Sequence, residues 1–312
     1  MFTLIVSCLP ALELSSNANS PSAFQRTKFK MILYKYALIS NLKNCIQLPG
    51  MKNYLFFYNL YKYRRYIFYN AWYELRYRYA GTGIGILWNI INPLCEILIY
   101  TVVFSLLLSR GARGSSYALY LMAGLLPWRT FAETIASGSN AFVQNSIYLR
   151  RLAIPSEVFV AKVTLTSLFL LFIYLALVLP IGILLGGHLG FGILLLPVLG
   201  VILEGLGFGM GLILANLQTL FPDVKQILQF LIPLWSWMIP IFYPESIIPK
   251  NILPWLYLNP PYAYIQSVRN IILENQMPGF HVWLIMLGWL ALFVWLGNIV
   301  NQKLQDEIRD VI

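Results

Sequence analysis

The chain has 312 residues, of which 59% are hydrophobic and only 11% charged, where ordinary soluble domains carry roughly 25% charge. So little charge cannot cover the surface of a water-soluble fold of this size, and long apolar runs must therefore face lipid. The net charge of +10 does not point to nucleic acid, because eleven of the 22 Lys/Arg precede Gly83, opposed only by Glu13 and Glu74. Basic residues packed against the first apolar run are what a cytoplasmic flank carries, and no basic face persists through a folded domain.

The first segment, residues 1–55, is poorly patterned. Met1 to Pro10 is apolar but has no basic n-region and no small-residue cleavage site, so it does not read as a signal peptide. Residues 11–50 are rich in Ser, Asn and Lys and are read as a disordered tail or a mis-assigned start, with Met31 and Met51 as alternative starts. Residues 62–79 mix Arg and Lys with Tyr, Trp and Phe, the composition of a helix lying in the headgroup plane. Glu74 and Arg78, spaced i,i+4, support that helix.

Six stretches are then long and apolar enough to cross a hydrocarbon core about 30 Å thick, which takes about 20 residues of helix. They cover 84–108, 118–139, 158–184, 192–216, 225–243 and 281–300. The loops between them alternate in side: 140–157 and 217–224 inside, 109–117, 185–191 and 244–280 outside, and the tail 306–312 inside. Both termini are thereby cytoplasmic. Segment 244–280 is too polar and Pro-broken to span, yet too apolar for a free loop. Non-helical backbone at membrane depth must be buried in protein or line a watery cavity, which points to short half-helices at the outer face.

Catalytic chemistry finds no foothold. No GxxxxGK[ST] phosphate loop occurs. The run Gly205, Gly207, Gly209, Gly211 lies inside an apolar span with no strand before it, where small residues serve close helix packing. His188 and His281 are isolated, Cys8, Cys45 and Cys95 have no ligand or redox spacing, and no nucleophile–base arrangement is readable. What remains is polar groups within the spans: Glu96, Arg129, Glu133 and Glu204, which face a bundle interior or an aqueous path. Arg129 and Glu133, at i,i+4, are read as a neutralising pair. Trp, Tyr and Phe number 9, 20 and 19. Most belong to interfacial belts, while Trp88, Tyr100, Phe104, Trp128 and Phe131 cluster in the first two spans and, with Glu133, are candidates to line a conduit. Flat rings there would bind sugar C–H surfaces.

The order of motifs resembles the type-2 ABC-transporter permeases that export polysaccharides, the O-antigen, capsule and teichoic-acid family, over about residues 55–305. The likeness opens with RYRYAGTGIGILWNIINPL (76–94). It continues through YLMAGLLPWRTFAETIASGSNAFVQN (120–145), with Gly124, Trp128, Phe131, Glu133 and Asn145 at family positions. NSIYLRRLAIPSEV (145–158) is similar to the family's Asn-x-x-Leu…Pro-Arg-Glu stretch, with Pro155 and Glu157 kept, Ser156 in place of Arg and Ile154 in place of Phe. LFPDV (220–224) keeps Asp223 and has Pro222 where the family has a basic residue. LNPPYAYIQSVRNIIL (258–273) matches the outer Leu-Asn-Pro segment, with Arg269 following.

The resemblance implies an all-α integral membrane fold: six transmembrane helices over 56–305, an N-terminal interfacial helix, a cytoplasmic coupling helix and extracytoplasmic half-helices before the last span. It implies a homodimer around a glycan conduit, paired with two copies of a separate ATPase. No cofactor is bound by this chain, so ATP and Mg enter through that partner. Asn145, Leu149, Arg150, Arg151, Pro155 and Glu157 are the expected ATPase-coupling residues. Arg64, Arg65, Trp72, Arg76 and Arg78 belong to the cytoplasmic gate helix, and Asn259, Pro260 and Arg269 to the outer half-helices. The expected location is the cytoplasmic (inner) membrane, with a lipid-linked polysaccharide as cargo, membrane lipids as surroundings and no nucleic acid. A permease for a drug, lipid or other small hydrophobic solute is the first alternative. A membrane-embedded enzyme or secondary transporter is the second, although neither clustered His/Asp/Glu nor an internal repeat is visible.

Overall fold

The computed structural model describes residues 49–108, 114–152, 154–184, 190–249 and 251–311. Expectations placed on residues 1–48, with Cys8 and Cys45, and on Arg110, Arg113 and His188 lie outside the described residues. The chain divides into Met1–Tyr54 and Leu55–Ile312, and the second unit carries everything below.

Every regular element among the described residues is helical. α1 (Pro49–Lys62) and α2 (Arg64–Tyr77) are consecutive helices. Ile67, Ala71 and Leu75 recur at i, i+4, i+8 and are buried, so α2 lays one apolar stripe on α7 (Glu157–Leu184). Its other faces keep Phe68, Tyr69, Trp72 and Tyr73 exposed. The corner out of α2 is built by sequence: Gly81 and Gly85 take φ of +90° and +57°, which cost a residue with a Cβ but not glycine. Asn89 Nδ2 then donates to the Leu75 carbonyl at 3.1 Å, satisfying one of the acceptors a helix end leaves open.

α3 (Trp88–Leu108) and α4 (Gly114–Ser139) follow, with Pro93 and Pro127 inside them. α4 ends at Asn140, and two short helices, α5 (Ala141–Gln144) and α6 (Ser146–Arg151), lead to α7. α8 (Leu196–Leu220), entered through a 3-10 turn Phe191–Leu195, is the central helix, packed against α4, α7 and α11 (Phe280–Val311). Among the described residues, three stretches are long and apolar enough to cross a membrane: Glu157–Leu184, Phe191–Leu220 and Phe280–Gln305; Gly85–Ile99 is apolar but shorter. α11 also runs unbroken through the stretch expected to be a separate tail.

The glycine run of α8 works as packing. Gly207 and Gly211 face α4, where a Cβ would stand 2.9 Å from Thr134 Cγ2 and 3.6 Å from the Cα of Gly138. Gly209 faces α11, where a Cβ would stand 2.6 Å from the backbone carbon of Phe293. Two faces of one helix thus carry two close approaches, the small-residue solution to packing in lipid.

The expected fifth span is shorter than its hydropathy implies. α9 (Val224–Trp237) has 14 residues, about 21 Å of helix at 1.5 Å per residue. The chain then runs through turns at 238–243, 3-10 turns Glu245–Ile247 and Leu253–Leu258, α10 (Tyr262–Arg269) and a π-helical turn Asn270–Glu274. The described residues of segment 244–280 thus form short helical turns and one eight-residue helix.

Candidate functional site

The stretch 238–243 leaves backbone carbonyls without helical partners, and they are capped from two other elements. Tyr117 and Tyr120, one turn apart on α4, donate through their hydroxyls: Tyr117 to the Phe242 carbonyl at 2.6 Å, and Tyr120 to those of Pro240 (3.1 Å) and Tyr243 (3.0 Å). Arg269 of α10, only 2% exposed, donates to the carbonyls of Pro240 (2.6 Å), Ile241 (3.0 Å) and Tyr120 (3.2 Å) and to the Tyr120 hydroxyl (2.9 Å). Its guanidinium also lies 3.8 Å from the centre of the Tyr120 ring, a cation–π contact. Gly124 clears the space, because a Cβ there would run into that guanidinium. One arginine thus binds α4, α10 and the end of α9 together. Asn259, the second predicted outer residue, accepts from Trp235 Nε1 at 2.8 Å, and Pro260 sits beside it in the turn before α10.

The charges inside the helices pair between elements, which corrects two expectations. Arg129 bonds Glu96 of α3 and not Glu133, while Glu133 bonds Arg78, at the end of α2, at 2.5 Å. Glu74 bonds Lys162 of α7 at 2.9 Å and not Arg78. The i,i+4 spacing loses because each of these charges meets an opposite charge on a neighbouring element at contact distance, and Coulomb attraction falls off with separation. The side chains of Arg78, Glu133, Arg129 and Glu96 retain between 24% and 44% of their exposure. Glu204 is instead sealed within α8 and accepts the hydroxyl of Thr134.

Beside Glu133 opens a groove of about 340 Å³ between α4 and α9, lined by Glu133, Ala136, Asn140, Lys225, Gln229 and Ile232, among others. Of the aromatic candidates, Trp88 is half-buried. Trp128 and Phe131, 5% and 0% exposed, pack with Trp235 at centroid distances of 5.5 and 5.8 Å. Their ring faces are occupied by the subunit's own core. Tyr100 and Phe104 lie on α3, with side chains outside the described set.

At the end of the molecule carrying α5 and α6, Arg150 and Arg151 are exposed together with Ile147, Tyr148 and Leu152. Asn145 turns its amide back to the Ala141 carbonyl at 2.7 Å, closing the break between the two short helices. Leu149 and Pro155 are half-buried, and Glu157 is buried. On α2, Arg64, Arg65, Trp72 and Arg76 are exposed.

Residues 65–273 match the family described as ABC-2 type transporter. The chain belongs to the ABC-2 type transporter family. Family membership makes it a multi-pass membrane subunit, of a class that works with a separate ATP-binding subunit in exporters. Similar proteins include the O-antigen export system permease protein RfbA of Myxococcus xanthus, 27% identical over 81% of this chain and 97% of the relative. A protein of the same name from Klebsiella pneumoniae is 23% identical over 77% and 92%. The polysialic acid transport protein KpsM of Escherichia coli is 26% identical over 70% and 84%. The family match begins within α2 and ends in the π-helical turn, so it takes in the partly exposed ion pairs, the groove and the Arg269 clamp.

Sequence reasoning missed Tyr117, Tyr120, Asn59 and Asn301. Each looks unremarked in its own segment and acquires a role only against a partner far along the chain. The one local signal was Tyr117 and Tyr120 at i,i+3 on α4, in a stretch whose neighbours at 118–119 and 121–127 are apolar.

Proposed function

We propose that this chain is the membrane subunit of an ATP-driven exporter that moves a lipid-linked polysaccharide across the cytoplasmic membrane. In this reading six segments cross the bilayer with both termini in the cytoplasm. Two copies of the chain work with two copies of a separate ATPase, docked at Asn145–Glu157. The observation that carries it is the pair of partly exposed ion pairs, Arg78–Glu133 and Arg129–Glu96, which set Glu96 on α3 and Arg129 and Glu133 on α4 within mainly apolar runs. Charges with that much open surface at membrane depth require water or a partner, not acyl chains. Glu133 also lines the α4–α9 groove, whose Asn140, Lys225 and Gln229 offer hydrogen bonds to a hydroxyl-rich cargo. The polysaccharide named for the relatives supports the cargo class.

The test is deletion and complementation in the source cell. Deletion is expected to remove the surface polysaccharide and leave its lipid-linked form inside. Ala136→Trp, which fills the groove, is expected to cut export at least about tenfold, a barrier change of ~1.4 kcal/mol, in a complex that still assembles. Unchanged surface polysaccharide after deletion would sink the reading.

A further inference from the structure

Ser156 and Glu157 end the docking segment where α7 begins, and both are buried, at 7% and 4% exposure. Glu157 has no cation in ion-pair range among the described residues. Its two oxygens accept instead from amides on two other helices: Oε1 from Asn59 Nδ2 of α1 at 2.9 Å, and Oε2 from Asn301 Nδ2 of α11 at 3.3 Å. The Ser156 hydroxyl donates to Asn301 Oδ1 at 2.9 Å, and the same oxygen accepts from Asn216 Nδ2 of α8 at 3.4 Å. Four helices therefore converge on one carboxylate and one amide.

An apolar cluster holds the same elements together. Phe56 of α1, Phe142 of α5, Phe159 of α7, Phe208 of α8 and Ile308 of α11 are among its buried members, with Leu149 of α6 packed on it. A buried carboxylate is tolerable only when hydrogen-bonded. Here the first turn of α7 adds the favourable end of a helix dipole. A buried polar network of this kind is either made or broken, because stretching it strands desolvated groups. A displacement of residues 145–157 must therefore carry α1 and α11 along or leave the carboxylate unpaired. Five residues further along α7, Lys162 holds Glu74 of α2, so the first turns of α7 grip both of the helices that precede the first span.

We propose that Glu157 is a positioning residue that delivers movement of the docking segment to α1, through Asn59, and thereby to the basic, aromatic surface of α2. The inference rests on the exporter reading above. It makes the α1–α2 pair a driven element, moved by the same residue that begins the third long apolar stretch. Asn301 anchors the far side of the lever to α11.

The experiment uses the complex of the full chain with its ATPase subunit, reading complex yield, ATP hydrolysis and polysaccharide export in the same preparation. Asn59→Asp sets a second carboxylate against Glu157. Combining it with Glu157→Gln restores a carboxylate–amide pair with donor and acceptor exchanged, and the new amide oxygen still accepts from Asn301. Asn59→Asp is expected to lower polysaccharide exported per ATP hydrolysed by about tenfold, the size of coupling typical within one network, at unchanged complex yield. The double variant is expected to recover to within about twofold of the unmodified complex. If the single variant does not assemble, Asn59→Ala is read in the same way. A loss of yield, hydrolysis and export in proportion, with export per ATP unchanged, means that the junction only holds the fold and overturns the proposal. An unmodified complex that hydrolyses ATP and exports no polysaccharide overturns the exporter reading itself, which separates the two failures.

Discussion

Arg269 shows how much one side chain can carry where backbone leaves regular structure. The carbonyls of Pro240 and Ile241 exist as free acceptors because α9 stops at Trp237, and neither lies where water can reach it freely, since Ile239 and Ile241 are fully buried. A buried acceptor left unpaired costs roughly 1–3 kcal/mol. Arg269→Ala strands the Ile241 carbonyl and leaves that of Pro240 with the Tyr120 hydroxyl alone, so it is expected to destabilise the purified protein by about 1–3 kcal/mol. Arg269→Lys is expected to recover less than half, because an ammonium on a single stem cannot cover donors fixed in a planar fork. Thermal unfolding in detergent reads both, and a Lys variant that melts with the unmodified protein would refute the fork argument. Arg269 could be flagged from the sequence because a lone arginine among Tyr, Ile and Val stands out. Its partners were not legible, since backbone carbonyls of residues 240 and 241 leave no trace in the identity of the side chains. The ion pairs failed for a related reason. Spacing along one helix proposed Arg129–Glu133 and Glu74–Arg78, while the folded chain offers each charge a better partner from across the bundle.

At the scale of elements, long apolar runs were read well and interrupted ones poorly. The stretches around 158–184, 192–216 and 281–300 returned as helices near their expected bounds, because continuous apolar sequence in lipid leaves the backbone no other way to satisfy its hydrogen bonds. The stretch 225–243 is equally apolar, but Pro233 and Pro240 and the capping set of Tyr117, Tyr120 and Arg269 let it stop early. Composition cannot see a cap supplied 30 or 120 residues away. The α8 glycines make a sharper element-scale test, because their two kinds of neighbour differ in compliance. A Cβ at Gly205 would meet the tip of Leu290 at 2.9 Å, whereas one at Gly209 would meet the Phe293–Val294 backbone at 2.6 and 2.7 Å. A side-chain tip rotates away, but two backbones in contact must separate. Gly205→Ala is therefore expected to cost under about 1 kcal/mol and Gly209→Ala about 2 kcal/mol or more, read as detergent-resistant unfolding. A larger loss at Gly205 would mean that α11 does not sit on the α8 face assigned here.

At the scale of the whole bundle, two polar sites at the opposite ends of α4 differ in kind. One end is closed: Arg269 and the two tyrosines cap the carbonyls of residues 240–243 from within the chain. The other end is open, because α6 presents Arg150 and Arg151 beside exposed Ile147, Tyr148 and Leu152, with no acidic residue of this chain paired to either arginine among the described residues. A basic rim around an apolar tip, six residues long and held rigid by Asn145 and the Phe142 cluster, has the makings of a plug for an acidic-rimmed hydrophobic groove. In the exporter reading that groove belongs to the ATPase. Rim charges set encounter and orientation more than they set final affinity, and they are screened by salt. Arg150→Glu combined with Arg151→Glu is accordingly expected to weaken association with the ATPase by at least about tenfold at low ionic strength, and by less as salt rises. Ile147→Ser removes apolar contact instead, so its loss should be nearly independent of salt. Co-purification across a salt series distinguishes the two. Undiminished binding and export in the double reversal would place the docking surface elsewhere on the chain, and with it the route by which work from ATP enters the bundle.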